Sequence, residues 1–131
     1  MATEKFVTAI NCIDGRAHFP VKTWLKASFD AEFVDRITEP GADKLLANGP
    51  ADVIEGIKQK VLISVNAHNS KIVAVIGHHD CAANPVSEAQ HRQDISEAVA
   101  TVQSWDLPVQ VIGLWVNSEW QVEVASPIEG E

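Results

Sequence analysis

The sequence predicts an α/β fold: a mainly parallel sheet of four strands flanked by helices, with a fifth, antiparallel strand at the C-terminal edge. Three observations carry this expectation. Residues 6–13 and 71–77 are short apolar runs rich in β-branched side chains, the composition of strands buried on both faces. Longer stretches between the runs place apolar residues at helical spacing, and strands that alternate with helices pair in parallel through crossover connections. The chain then closes with two apolar runs separated by Asn117-Ser118-Glu119, a hairpin that reverses the last strand.

In chain order, the first strand is closed by Asp14-Gly15. A short helix follows Pro20, with Val21, Trp24, Leu25 and Phe29 at helical spacing and the proline suited to a helix start. Residues 31–37 form a second strand, cut off by Glu39-Pro40-Gly41. From Asp43 to about His68 the pattern is helical, broken at Asn48-Gly49-Pro50 because glycine and proline interrupt helices, and Val53, Ile54, Ile57, Val61 and Val65 line one face. After the third strand and a loop over 82–86, Ser87 and Gln90 form a capping box for a helix whose stripe is Ile95, Val99, Val102 and Trp105. Residues 108–116 make the fourth strand, and 120–125, alternating apolar and polar, the fifth. The expected organisation is one domain over residues 1–125 and a loose acidic tail over 126–131.

Bulk composition excludes several function classes. The net charge is −8, with 10 basic residues scattered among 18 acidic ones. Phosphate contacts need clustered Lys and Arg, so nucleic acid is not an expected partner, nor is an anionic membrane surface. No segment approaches the ~18 to 20 apolar residues that span a bilayer. The N-terminus lacks a basic segment followed by an apolar one, so a cytoplasmic location is expected, where the 2 cysteines stay reduced and available for metal or chemistry.

Those cysteines fall in Cys12-Ile13-Asp14-Gly15-Arg16 and His78-His79-Asp80-Cys81, each at the C-terminal end of an expected strand. Ligands of open α/β sheets sit beyond those ends, where strand order reverses, so two motifs far apart in sequence can meet there. Two thiolates and one imidazole suit a zinc ion with one position left for water or substrate; structural zinc takes four protein ligands. Two thiolates offset the dication, and water in the fourth position has its pKa lowered toward ~7. The competing readings are buried structural thiols, a disulfide between strand ends, or thiol–disulfide exchange. His79 and Asp80 are expected beside the site or facing solvent, and His18, His68 and His91 in solvent. Trp24, Trp105, Trp115 and Trp120 are read as core and interface.

Cys12-x-Asp14-x-Arg16 followed by His78-x-x-Cys81 resembles, position by position, the signature of the β-class carbonic anhydrases, and residues 77–81 resemble that family's Gly-His-Ser-x-Cys. The resemblance implies zinc held by Cys12, His78 and Cys81. Asp14 would orient or deprotonate the bound water, or occupy the open position itself, with Arg16 holding Asp14. It further implies reversible hydration of carbon dioxide to bicarbonate, no organic cofactor, and a homodimer or higher homo-oligomer with sites near the subunit interface. The chain departs from the family pattern at Gly15 and Ala82, and in Arg36-Ile37-Thr38-Glu39-Pro40-Gly41, which brings Glu39 toward the expected pocket. The scaffold also serves hydrolases of carbonyl sulfide or carbon disulfide, and a catalytically silent zinc-binding member is the remaining alternative.

Overall fold

A computed structural model describes residues 4–126. Its elements are β1 (Phe6–Asn11), α1 (Gly15–Phe29), β2 (Phe33–Thr38), α2 (Ala42–Asn48), α3 (Ala51–His68), β3 (Ile72–His78), α4 (Glu88–Gln103), β4 (Gln110–Val116) and β5 (Val122–Ser126). The five strands form one sheet in the order β2-β1-β3-β4-β5. The first four are mutually parallel, and β5 runs antiparallel to β4 with a register shift at Gly113/Leu114.

The handedness of crossover connections distributes the helices. The chain steps from β1 outward to β2 in one direction, and from β2 over to β3 and on to β4 in the other. Right-handed crossovers then place α1 on one face and α2, α3 and α4 on the opposite one. The core divides accordingly. Val7, Ala9, Ala74, Ile76 and Leu114 pack with Ala17, Val21 and Leu25 of α1. Ile10, Val73, Val75 and Trp115 pack with Leu46, Ile57, Val61, Ile95 and Val99. The Val, Leu and Ile side chains among these each contribute about 1.5–3 kcal/mol when fully buried, so β1 and β3, covered on both faces, anchor the molecule.

Several expected boundaries move for identifiable reasons. The helix placed after Pro20 begins at Gly15, with Pro20 inside it. Asp14 is its N-cap: the backbone there is extended, and the carboxylate accepts from the Arg16 amide at 2.9 Å. The first strand therefore stops at Asn11, leaving Cys12 and Ile13 to turn into the cap. Ser87 caps α4 by accepting from the Gln90 amide at 3.2 Å, whereas the Gln90 side chain turns to Asp94 and leaves the box half formed. Trp120, assigned to the last strand, stands in the turn before it. Ser126 closes β5, and the rest of the expected tail, 127–131, lies outside the described residues. Among the described residues no helix is long and apolar enough to cross a membrane.

Candidate metal centre

β1 and β3 are neighbours in register Thr8↔Val73 to Ile10↔Val75, and the chain leaves them toward opposite faces of the sheet. Their C-terminal ends therefore diverge into the crevice where ligands of such sheets sit. Cys12 stands one residue beyond β1, and His78 is the last residue of β3. The loop after His78 turns back through Asp80, at φ 58°, and delivers Cys81. Gly77 makes room for this end of the strand. A β-carbon there would come to 2.7 Å from Asp43 Oδ2 and 2.8 Å from Ile95 Cδ1.

The three side chains expected to bind metal are brought together. Cys12, His78 and Cys81 are all buried, and each offers a ligand atom within 4.8 Å of the others. The two Sγ atoms are 3.9 Å apart and not joined. Two sulfurs at ~2.3 Å from a tetrahedral zinc ion lie about 3.8 Å apart, so the spacing matches shared coordination. The imidazole completes the fit. His78 Nδ1 lies 2.8 Å from the His79 carbonyl, which places the proton on Nδ1 and the free lone pair on Nε2. That Nε2 is buried and has no hydrogen-bond partner among the described residues, a state costly for a polar atom unless a ligand completes it. His79 is exposed and lies outside the cluster.

Asp14 and Arg16 pair beside this cluster, as expected. Arg16 Nη2 donates to Asp14 Oδ2 at 2.6 Å and Nε to Oδ1 at 3.0 Å, the fork geometry in which guanidinium holds carboxylate. The Arg16 hydrogen bonds hold the Asp14 carboxyl down at about 2, against an opposing push from burial, and the pairing raises the arginine. Arg16 also donates to the side chain and carbonyl of Asp80, both at 3.2 Å, and its guanidinium lies 4.6 Å from the centre of the Trp120 ring. The segment over 36–41 runs beside the end of β1. The Glu39 amide donates to the Asn11 carbonyl at 3.0 Å, one residue before Cys12, with the Glu39 side chain half-buried.

One expectation is overturned. His91 is buried, not solvated: its Nδ1 lies 2.7 Å from Asp43 Oδ2, and its ring packs on Trp115 with centroids 5.1 Å apart. Asn84 bridges this pair to Asp94, donating at 3.0 Å to Asp94 Oδ2 and at 3.3 Å to Asp43 Oδ1. The Asn84 amide donates to the Cys81 carbonyl at 3.3 Å, so the network underpins the loop that carries a candidate ligand. The signal was present in the sequence, because His91 stands four and eight residues ahead of Ile95 and Val99 on the apolar stripe of α4. Asn11 was also missed; its buried side-chain amide has no partner among the described residues. A groove of about 440 Å³ between β2 and α3, lined by Arg36, Lys60, Ile63 and His68, includes none of the metal-centre side chains.

A family model described as "Putative carbonic anhydrase" matches residues 2–126. The chain belongs to this family. Its fold is that of solved β-carbonic anhydrases. Isoform I from Trichomonas vaginalis superposes with TM-score 0.59 at 14% identity, covering 95% of this chain and 86% of that one. One of the tetrameric enzymes from Sordaria macrospora gives TM-score 0.65 at 11% identity, covering 95% and 82%. CafA of Aspergillus fumigatus gives 0.55 at 17%, covering 98% and 79%. No curated protein sequence matches the chain. This carbonic anhydrase family member is thus a divergent one, sharing the β-class fold at low identity.

Proposed function

We propose that this chain is a zinc-dependent lyase that interconverts carbon dioxide and bicarbonate, with Cys12, His78 and Cys81 as the zinc ligands and Asp14 and Arg16 as the catalytic pair. The observation that carries this reading is the buried set of two sulfurs at 3.9 Å and one imidazole nitrogen without a partner, a donor set suited to zinc that leaves a fourth position unfilled. Bound there, zinc supplies Lewis acidity that lowers the pKa of water toward ~7.

The chain's own residues do the rest. His78 is aimed by the carbonyl of His79, a residue whose amide is itself tied to β4 by donating to the Val116 carbonyl at 2.9 Å. Asp14, held near 2, stays ionised at neutral pH and accepts hydrogen bonds at its carboxylate oxygens. Ionised and gripped by Arg16, Asp14 is placed to orient the reacting water. Arg16 fixes the plane of that carboxylate. A homodimer or higher homo-oligomer, as in the tetrameric relatives from Sordaria macrospora, and a reducing cytoplasmic compartment that keeps both thiols free complete the reading.

Stopped-flow hydration of carbon dioxide tests it, alongside metal analysis of the wild type and Cys81→Ser. The expected result is one zinc per wild-type chain with hydration above buffer, and loss of both in the variant. Full zinc with hydration no faster than buffer would remove the lyase reading, and zinc retained by Cys81→Ser would remove the ligand assignment. Carbonyl sulfide and carbon disulfide in the same apparatus identify a hydrolase.

A further inference from the structure

Trp120 has an unusual backbone for an aromatic residue. Its φ is 59°, in the left-handed region that bulky side chains avoid. The turn around it is over-determined. Asn117 Oδ1 accepts from the amides of Glu119 at 2.9 Å and Gln121 at 3.0 Å, and the Trp120 amide donates to the Asn117 carbonyl at 2.9 Å. Asn117 Nδ2 donates to Glu123 at 2.8 Å, and Glu123 is in turn held by Arg92 of α4 at 2.7 Å. A strained residue kept in place by its surroundings points to a use for its side chain. The indole covers the Arg16 guanidinium at 4.6 Å and sits edge-on to His79, with centroids 6.2 Å apart, and 6.4 Å from the ring of His78.

Without the indole Arg16 is weakly restrained on that side. Its side chain is 48% exposed, and its second anion, Asp80, is 70% exposed. Asp14 takes three hydrogen bonds, from the amide, Nε and Nη2 of Arg16, so two of the three depend on where the guanidinium stands. We propose that Trp120 is a positioning residue of the metal centre: its indole clamps Arg16 so that the arginine keeps Asp14 turned away from the ligand triad and the fourth position stays open. This rests on the zinc reading above and adds the third member of the latch, contributed by the C-terminal hairpin.

The test uses the full chain, metal-free and loaded with cobalt(II), comparing the wild type, Trp120→Phe, Trp120→Gly, and Trp120→Gly combined with Asp14→Asn. The visible spectrum of cobalt reports binding of azide at an exchangeable position. Wild type and Trp120→Phe bind azide, whereas Trp120→Gly binds it about two- to fivefold more weakly, the ratio a cation–π contact on a half-exposed arginine sustains, because the Asp14 carboxylate takes the position. Removing that carboxylate in the combined variant restores the affinity. Trp120 also packs against the apolar cluster on the α1 face, so the unfolding temperature of Trp120→Gly falls under either role, whereas an azide affinity restored by Asp14→Asn is a readout that a merely structural role would not move. Unchanged azide affinity in Trp120→Gly, or no restoration in the combined variant, would overturn the proposal.

In the metal-free protein, hydrogen exchange at Arg16 Nε is expected to quicken in Trp120→Gly, and equal rates would overturn the clamp. A wild type that takes up no cobalt refutes the zinc reading, and the exchange rates then judge the clamp independently.

Discussion

Replacing His91 with leucine removes the donor to Asp43 Oδ2 inside a network whose members are all buried. Breaking a buried ion or hydrogen-bonded pair from one side costs about 3–5 kcal/mol, because the remaining charge is left uncompensated. Asp43 keeps two donors on Oδ1, the Lys44 amide at 2.9 Å and Asn84 Nδ2 at 3.3 Å, so the lower end, about 3 kcal/mol, is expected. For 131 residues at ~2.1 cal/mol/K each, the unfolding entropy is about 0.28 kcal/mol/K, and the midpoint falls by about 11 °C. Circular dichroism during heating and urea titration measures both, on metal-free protein so that ligand linkage does not blur the comparison. Replacing Asp43 with leucine as well removes the stranded carboxylate and should recover at least half of the loss. A single variant that costs under ~1 kcal/mol, the worth of an exposed pair, refutes the reasoning, as does a double variant no better than the single.

Two further outcomes are expected. In Gly113→Ala the new β-carbon would overlap Ile95 Cγ2 and press on Ser126 Cβ and Val99 Cγ2, each 3.1 Å away, so stability should fall by about 1–3 kcal/mol in urea; a neutral result would mean that α4 shifts freely on the sheet. Burial, with help from Arg36 and Lys22, lowers the pKa of His18 below its ordinary 6.5, so the folded state resists protonating it. Its penalty is therefore absent above pH 6.5, grows as pH falls through that value, and levels off below the folded pKa. Urea midpoints of wild type and His18→Asn should diverge in the variant's favour on acidification, and parallel profiles would contradict this.

The elements most legible in the sequence were those whose physics is local. Residues 72–76 are apolar without interruption because β3 is buried on both faces, and Gly49-Pro50 breaks α2 from α3 because neither residue continues a helix. The convergence of Cys12, His78 and Cys81 was legible for another reason: they stand at or just beyond strand ends, and parallel topology brings such ends together. Competing roles hid the rest. Pro20 advertised a helix start, yet Asp14, already read as a site residue, is also the cap that starts α1 five residues earlier than Pro20. His91 looked solvated because its polarity outweighed its place on the stripe, and nothing in sequence shows that Asp43, on another helix, receives it. Trp120 alternates like a strand residue, and only the Asn117 turn reveals it as a left-handed one.

The separation of Cys12 from Cys81 by 69 residues bears on how the protein matures. On the zinc reading, His78 and Cys81 alone would form a two-toothed chelate at the end of β3. Recruiting Cys12 to it in an open chain costs about 4 kcal/mol of closure entropy for a segment of that length. Pairing β1 with β3 meets that cost during folding, so the third ligand would be in place only once the sheet has formed. On that reading the donor set would be shaped by the sheet before any ion reaches it.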